Sequence, residues 1–176
     1  MILTFHSLGE TDRLLLRSPS EEDLVSIVDL WTDPLVTKHI GGPRNGDMVL
    51  EYFRDYANDP EASVSEEGDR WWSVIGSSSG QFIGLCGLTE KEIEGQSEID
   101  LGYFFLPSFW GKGYATEAAR RVVEYALSGL QLGSIVAVID PANVASKAVA
   151  LKLGMVLERE ALRSDGVIRQ VYRLKK

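Results

Sequence analysis

The chain has 176 residues, which fits one domain spanning 1–176 with enough length to bury a sizeable core. Hydrophobic residues make up 44% and charged residues 25%, so the composition excludes disordered, collagen-like and coiled-coil proteins. Eighteen Lys and Arg against 26 Asp and Glu give a formal net charge of −8, which argues against a surface that grips nucleic acid.

The sulfur and imidazole content is low. Cys86 is the only cysteine and lies in the apolar run FIGLCGL, so no disulfide framework or cysteine-based zinc site is expected within the chain, and the thiol is expected to fill the core. With only His6 and His39 besides, we expect no metal. The opening segment has no basic stretch ahead of an apolar one, and no apolar run spans a membrane. We therefore expect a cytoplasmic protein without a membrane partner.

The first third of the chain predicts one strand followed by two helices. RLLLR at 13–17 is typical of a short strand, and Ser20 with Asp23 three residues later marks a helix start. Apolar residues at i, i+3, i+4 and i+7 give that helix one buried stripe before Asp33 and Pro34 end it: Leu24, Ile27, Val28 and Trp31. A second helix is predicted at about 47–57, then a polar loop at 58–69.

The rest of the chain predicts strands and two further helices. WWSVI at 71–75 and QFIGLCGL at 81–88 form a hairpin, with another strand at 99–106. A helix over 114–130 leads to the buried strand SIVAVI at 134–139. Asn143 caps a helix over 144–153, and a final hairpin turns at Asp165 and Gly166. This order predicts an α+β fold with a mixed, mostly antiparallel sheet.

The segment WGKGYATEA at 110–118 carries the strongest chemical signal. Gly111 and Gly113 allow a tight turn and close approach of a ligand, and the free amides that begin the next helix suit a pyrophosphate. The alternative is a glycine turn without a ligand. The spacing is not a dinucleotide fingerprint, because its third glycine would fall on Thr116, and Lys112 is followed by Gly113 rather than by the Ser or Thr of a P-loop.

Two longer stretches follow one another in the second half of the chain: IDLGYFFLPSFWGKGYATEA at 99–118 and PANVASKAVALKLGM at 141–155. In this order they resemble the GNAT superfamily of acetyl-CoA-dependent N-acetyltransferases. TDRLLLR at 11–17, WTDPLVTKHIGGP at 31–43 and the ATEA after the glycine loop are similar to the branch of ribosomal-protein N-terminal acetyltransferases of RimJ/RimL type. The resemblance implies a sheet that splays open between strands 99–106 and 134–139, with helices on both faces and acetyl-CoA in the gap.

The resemblance also implies which residues bind the coenzyme. The family's phosphate loop maps onto six residues and Thr116 opens the helix: Trp110, Gly111, Lys112, Gly113, Tyr114 and Ala115. Trp110 replaces the usual Gln or Arg. The backbone of Tyr103, Phe104 and Phe105 would pair with the pantetheine arm, and the Phe105 N–H would face the developing oxyanion. Asn143 would contact the pantetheine, besides capping a helix, and Ser146 would face the sulfur.

The catalytic residues implied by the resemblance are Asp100 and Ser146. Asp100 aligns with a family glutamate that takes the amine proton, through water; a purely positioning role stays open, and Glu98 is a weaker substitute. The family's tyrosine acid falls on Ala150, but a thiolate leaves without strong acid help, and Tyr103 and Tyr172 are weak rivals of Ser146. His39 is more simply a loop residue than a catalytic one.

The acceptor is expected to be a primary amine. An α-amine loses its proton at pH 7 for about 1 to 1.5 kcal/mol, against about 4.6 kcal/mol for a lysine-like amine, which favours a protein N-terminus. Eight acids between Asp47 and Asp69, against Arg54 alone, would draw in a cation or serve only as a solvated surface. A polyamine acceptor and a non-catalytic acyl-CoA-binding module are the alternatives, and a homodimer is suggested by analogy.

Overall fold

The computed structural model describes residues 7–58, 69–162 and 166–176. The strands are β1 (Ser7–Glu10), β2 (Leu14–Arg17), β3 (Arg70–Gly76), β4 (Phe82–Ile93), β5 (Gln96–Phe105), β6 (Ser134–Ile139), β7 (Val156–Leu162) and β8 (Ile168–Lys175). The helices are α1 (Leu24–Thr32), α2 (Pro34–Thr37), α3 (Gly46–Asn58), α4 (Tyr114–Glu124) and α5 (Val144–Lys152). One π turn, Tyr125–Gly129, continues α4, so the helix predicted over 114–130 is not α-helical to its end.

The sequence analysis missed β1 and α2. β1 pairs with β2 and is only four residues long, too short to show a clear alternation. Pro34 ends α1, as predicted, but also begins α2, with the Asp33 carboxylate accepting a hydrogen bond from the Leu35 N–H at 2.7 Å. The predicted loop at 58–69 and the turn residue Asp165 lie, apart from Asn58 and Asp69, outside the described residues.

β4 and β5 are longer than the sequence analysis predicted. The predicted strands 81–88 and 99–106 extend towards each other as a hairpin that turns at Glu94 and Gly95, both with positive φ (51° and 80°). The added segments are rich in Glu, Lys, Gln and Ser, which conceals a strand in the sequence. The extension of β4 includes Lys91, whose side chain reaches Asp100 on the neighbouring strand β5.

The eight strands form one mixed sheet in the order β1-β2-β3-β4-β5-β6-β8-β7. Every neighbouring pair is antiparallel except β5 and β6, which run parallel and register at Asp100 and Val136. Beyond this point the two strands separate towards their carboxyl ends. The α+β class and the open sheet predicted from the sequence are therefore confirmed.

Helices cover both faces of the sheet. α4 and α5 pack on one face through a core that includes Phe105, Ala118 and Ala150. α1 and α3 pack on the other face through Leu30, Phe53 and their neighbours. Because successive strand residues face opposite sides, Phe104 joins the α1/α3 side while Tyr103 and Phe105 join the α4/α5 side.

Candidate active site

The opening between β5 and β6 exposes the backbone of β5. The Leu106 N–H donates to the Ile83 carbonyl at 3.0 Å, and the next pair in register is Gly84 with Phe105. In an antiparallel ladder hydrogen-bonded and non-hydrogen-bonded pairs alternate, so the Phe105 N–H turns away from β4 and towards the opening. The Tyr103 N–H has the same direction two residues earlier. β5 therefore presents a strand edge to any extended ligand in the gap.

Asp100 lies where the two strands separate. It is 3% exposed, its Oδ1 accepts the Val138 N–H at 2.8 Å, and its Oδ2 forms an ion pair with Lys91. The carboxylate thus links β5 to β6 just before the gap. The sequence analysis did not identify Lys91, because its approach to Asp100 depends on the register of a hairpin that the sequence conceals.

The loop between β5 and α4 has the geometry of an anion site. Gly111 and Gly113 have φ of 73° and 81°, and Gly113 is the N-cap of α4. The first intrahelical bond runs from the Glu117 N–H to the Gly113 carbonyl at 3.1 Å, so the amides of residues 113–116 have no partner inside the helix. The Trp110 Nε1–H donates to the Phe105 carbonyl at 2.7 Å and ties this loop to the edge of β5.

Arg13 and Glu117 hold the loop from behind. Glu117 accepts hydrogen bonds from the Thr11 hydroxyl at 2.6 Å, the Arg13 N–H at 2.9 Å and the Arg13 Nε at 2.7 Å. The Arg13 guanidinium also donates to the Lys112 carbonyl at 2.9 Å. Burial disfavours ionised Glu117, but these hydrogen bonds outweigh it and keep the pKa of the carboxyl below its ordinary value. Arg13 and Glu117 lie about a hundred positions apart in the chain, so local sequence patterns do not predict these contacts.

A cavity of about 300 Å³ adjoins this loop. Its walls carry more basic than acidic side chains: Asp12, Arg13, Gly113, Thr116, Glu117, Arg120 and Lys152. Arg120 stands on α4, and Lys152 at the end of α5. The free amides, the positive end of the helix dipole and these cations together favour phosphate groups.

The opposite wall of the gap is the start of α5. The Asn143 Oδ1 accepts the Ser146 N–H at 3.1 Å, which confirms its predicted helix-capping role. The Tyr103 hydroxyl donates to the Ser146 carbonyl at 2.8 Å and so joins β5 to α5. Burial raises the pKa of Tyr103 above its ordinary value, which makes it a poor acid at neutral pH.

A second cavity, of about 280 Å³, opens on the α1/α3 side of β5. Its lining is mainly aromatic and apolar: Trp31, Arg44, Asn45, Met48, Val49, Tyr52, Phe53, Asp69 and Trp71. The Trp31 and Trp71 rings pack against Phe104, with centroid distances of 4.5 and 5.8 Å. Phe104 lies between Tyr103 and Phe105 in β5, so two rings that line this cavity contact the residue between the two whose N–H groups face the gap.

The remaining sequence candidates have structural partners. His39 Nδ1 lies 3.4 Å from Asp140 Oδ2, joining the loop after α2 to the end of β6. The Ala142 N–H and, after it, His39 lower the pKa of Asp140. Glu98 is held by Arg173 at 2.5 Å. Cys86 is buried in the core, as the sequence analysis predicted, and this burial raises the pKa of its thiol.

Comparison with known proteins identifies the family. The model of the acetyltransferase (GNAT) domain matches residues 13–156. The chain belongs to the GNAT acetyltransferases. It is similar to the uncharacterised protein YkkB of Bacillus subtilis, 34% identical over 82% of this chain and 83% of YkkB. It is also similar to the crystal structure of an acetyltransferase from Agrobacterium tumefaciens, with a TM-score of 0.78, 26% identity, and coverage of 100% and 98% of the two chains.

The predicted enzyme class is confirmed: this GNAT chain is an acetyl-CoA-dependent N-acetyltransferase. The RimJ/RimL branch stays a prediction. RimL, the ribosomal L7/L12 alpha-N-protein acetyltransferase solved with coenzyme A, shares the fold with a TM-score of 0.75 at 15% identity over 96% of this chain and 97% of that one. At such identity the likeness concerns the fold alone.

Within residues 7–58, 69–162 and 166–176, His, Cys, Asp and Glu side chains do not form a group of three that suits a metal ion. In the same ranges, the helices are too short or too polar to cross a membrane.

Proposed function

We propose that this N-acetyltransferase transfers the acetyl group of acetyl-CoA to the α-amine of a peptide or protein N-terminus, as in the RimJ/RimL-type branch. The observation that carries the proposal is the meeting of two spaces at β5. The Phe105 N–H faces the gap, and Trp110 ties the loop before α4 to the Phe105 carbonyl. On the other face of β5, the Trp31 and Trp71 rings that line the aromatic cavity pack against Phe104.

The coenzyme fits the gap by its chemistry. The amides of residues 113–116, with Gly111 and Lys112 leading into them, would hold the pyrophosphate. Arg120 and Lys152 lie beside this loop and would neutralise further phosphate charge. The turned-out backbone of β5 at Tyr103 and Phe105 would pair with the amides of the pantetheine arm, with Asn143 and Ser146 on the facing wall.

The reaction then needs little from side chains. The amine nitrogen bonds to the thioester carbonyl carbon, the C–S bond breaks, and the thiolate leaves and takes a proton. The Phe105 N–H would stabilise the negative charge on the carbonyl oxygen in the transition state. Because a thiol has a pKa of about 8.5, the leaving group needs no strong acid, in keeping with Ala150 at the family's tyrosine position.

An α-amine also needs no strong base, since its pKa of about 8 leaves part of it neutral at pH 7. Both oxygens of Asp100 are already engaged, one with the Val138 N–H and one with Lys91. We therefore assign Asp100 a positioning role, in which it holds β5 and β6 together at the base of the gap. The amine proton passes to solvent at the mouth of the cavity.

The test measures acetyl transfer from acetyl-CoA through the release of free thiol. Three acceptors are compared: a tetrapeptide with a free α-amine, the same peptide with a blocked α-amine and one lysine, and spermidine. The proposal predicts turnover of the first and at least about tenfold lower kcat/KM for the others. Preferred turnover of spermidine or of the lysine peptide contradicts the proposed acceptor. Tight acetyl-CoA binding without turnover of any amine would make the chain a binding module instead.

A further inference from the structure

The aromatic cavity on the α1/α3 side has an unusual wall for an enzyme that binds a charged amine. Met48 and Tyr52 line it from α3 while remaining 70% and 38% exposed. Apolar side chains left exposed around a concave surface are typical of a ligand site rather than of a closed core. Other exposed positions of α3 carry charged side chains, as at Asp47, Glu51 and Asp55. The two large apolar side chains that this helix exposes therefore both line the cavity.

The Trp31 and Trp71 rings meet at a corner of the cavity, and we call the space that they border the slot. The two rings stand nearly perpendicular, with an interplanar angle of 89° and centroids 6.1 Å apart, and both pack against Phe104 of β5. Such edge and face surfaces favour another ring or a branched aliphatic group. The volume of about 280 Å³ is just below the usual range for whole drug-sized ligands, so it suits one side chain.

The charges at this cavity favour a peptide over a polyamine. Among the described lining residues, Arg44 and Asp69 carry the formal charges, one of each sign. A linear polyamine would bring a second ammonium group towards the Arg44 guanidinium. A peptide brings carbonyl oxygens, which Arg44 can bind, and only one ammonium group.

We infer that the cavity formed by Trp31, Met48, Tyr52, Phe53 and Trp71 binds the side chain of an aromatic or branched-aliphatic first residue, and so selects peptides whose N-terminus carries such a residue. The inference rests on the proposed peptide acceptor. The first side chain fills the slot, the α-amine lies at Phe104 beside the thioester, and the following peptide unit extends past Arg44.

The first experiment measures kcat/KM for four peptides that differ only in residue one: Phe, Leu, Ala and Gly, each followed by the same three residues and an amidated end. We expect the Phe and Leu peptides to exceed the Gly peptide by at least about tenfold, mainly through KM. Equal values for all four, or a preference for Gly or Ala, overturn the inference. Turnover of the Gly peptide in that case leaves the peptide-acceptor proposal standing.

The second experiment uses matched variants. Met48→Ser shortens the slot, whereas Val25→Ser changes a side chain of similar exposure, 74%, on the outer surface of α1. Met48→Ser should lower the Phe-to-Gly preference by about threefold or more, and Val25→Ser should leave it unchanged. An unchanged preference in Met48→Ser, together with an unchanged preference in Trp31→Leu, would contradict the inference.

Folding and coenzyme binding are measured separately in these variants. Each should bind acetyl-CoA as the parent does, because the cavity lies on the opposite side of β5 from the α4/α5 face. For Trp31→Leu, a thermal midpoint and an acetyl-CoA titration show whether the protein is intact. If that variant does not fold, Arg44→Glu is tested instead, because Arg44 is exposed and its replacement should be tolerated. In Arg44→Glu, kcat/KM for the peptides should fall and kcat/KM for spermidine should rise. No such reversal would contradict the assigned charge preference.

Discussion

Replacing Gly111 by Ala tests whether the loop before α4 binds phosphate. Gly111 has a φ of 73°, and a Cβ built on it would meet no protein atom within 4 Å. The protein itself therefore leaves room for a methyl group there. Gly80, in the turn after β3, is a matched control, because its φ is 67° and its Cβ would also meet nothing within 4 Å.

The two variants should cost the same stability and differ in coenzyme affinity. An L-residue in the left-handed region costs about 1 to 2 kcal/mol, so each thermal midpoint should fall by about 2 to 8 °C. Gly111→Ala also places a methyl group where the pyrophosphate would approach the backbone. Loss of one hydrogen bond to a charged group is worth about 1.5 to 3 kcal/mol, which raises the Kd of coenzyme A by about 10- to 150-fold.

Isothermal titration with coenzyme A measures this difference well below either thermal midpoint. We expect Gly80→Ala to bind as the parent does and Gly111→Ala to bind at least about tenfold more weakly. Equal affinity in the two variants would refute the reasoning, because the methyl group would then lie away from the phosphates. Reduced affinity in both would point to a general effect of lower stability.

Three further predictions concern neighbouring residues. Asp100→Asn keeps an oxygen for the Val138 N–H and should retain most activity, with an unchanged pH profile of kcat/KM. Asp100→Ala should lower kcat/KM at least about tenfold. Equal losses in both variants, with the acidic limb of the pH profile absent, would assign Asp100 as the base. Glu117→Gln should lower the free energy of unfolding by about 1 to 3 kcal/mol at pH 7. Because the pKa of Glu117 is depressed, the difference in this free energy between parent and variant, measured by chemical denaturation, should decrease as the pH falls below about 4.5. A Cβ on Gly84 would overlap the Phe104 carbonyl oxygen, so Gly84→Ala should lower the thermal midpoint. It should also lower kcat, because the Phe105 N–H would move. An active variant with the stability of the parent would contradict the register of β4 and β5.

Local signals predicted much of the fold. The unbroken apolar run at 134–139 coincides with β6, whose alternate residues pack on both faces of the sheet. Asn143 was identified as a cap because side-chain acceptors at that position act on nearby amides, and the structure shows the bond to Ser146. The glycines of the loop were likewise visible, since positive φ favours that residue type.

The supports of the site were not visible, because they depend on residues far apart in the chain. Arg13 reaches Glu117 across 104 positions, and Lys91 meets Asp100 only through the extended hairpin. In the sequence Trp31 belongs to the predicted stripe of the first helix and Trp71 to the predicted strand 71–75, and no local pattern relates the two. Their joint surface with Phe104 appears only when α1, β3 and β5 are packed together.

The most direct measurement of the central claim is a backbone amide NMR titration of the protein with coenzyme A. The account predicts that the largest shifts fall on the amides of residues 111–116 and on Phe105, with small changes along β7 and β8. Shifts confined to other parts of the chain, with the amides of 111–116 unaffected, would contradict it.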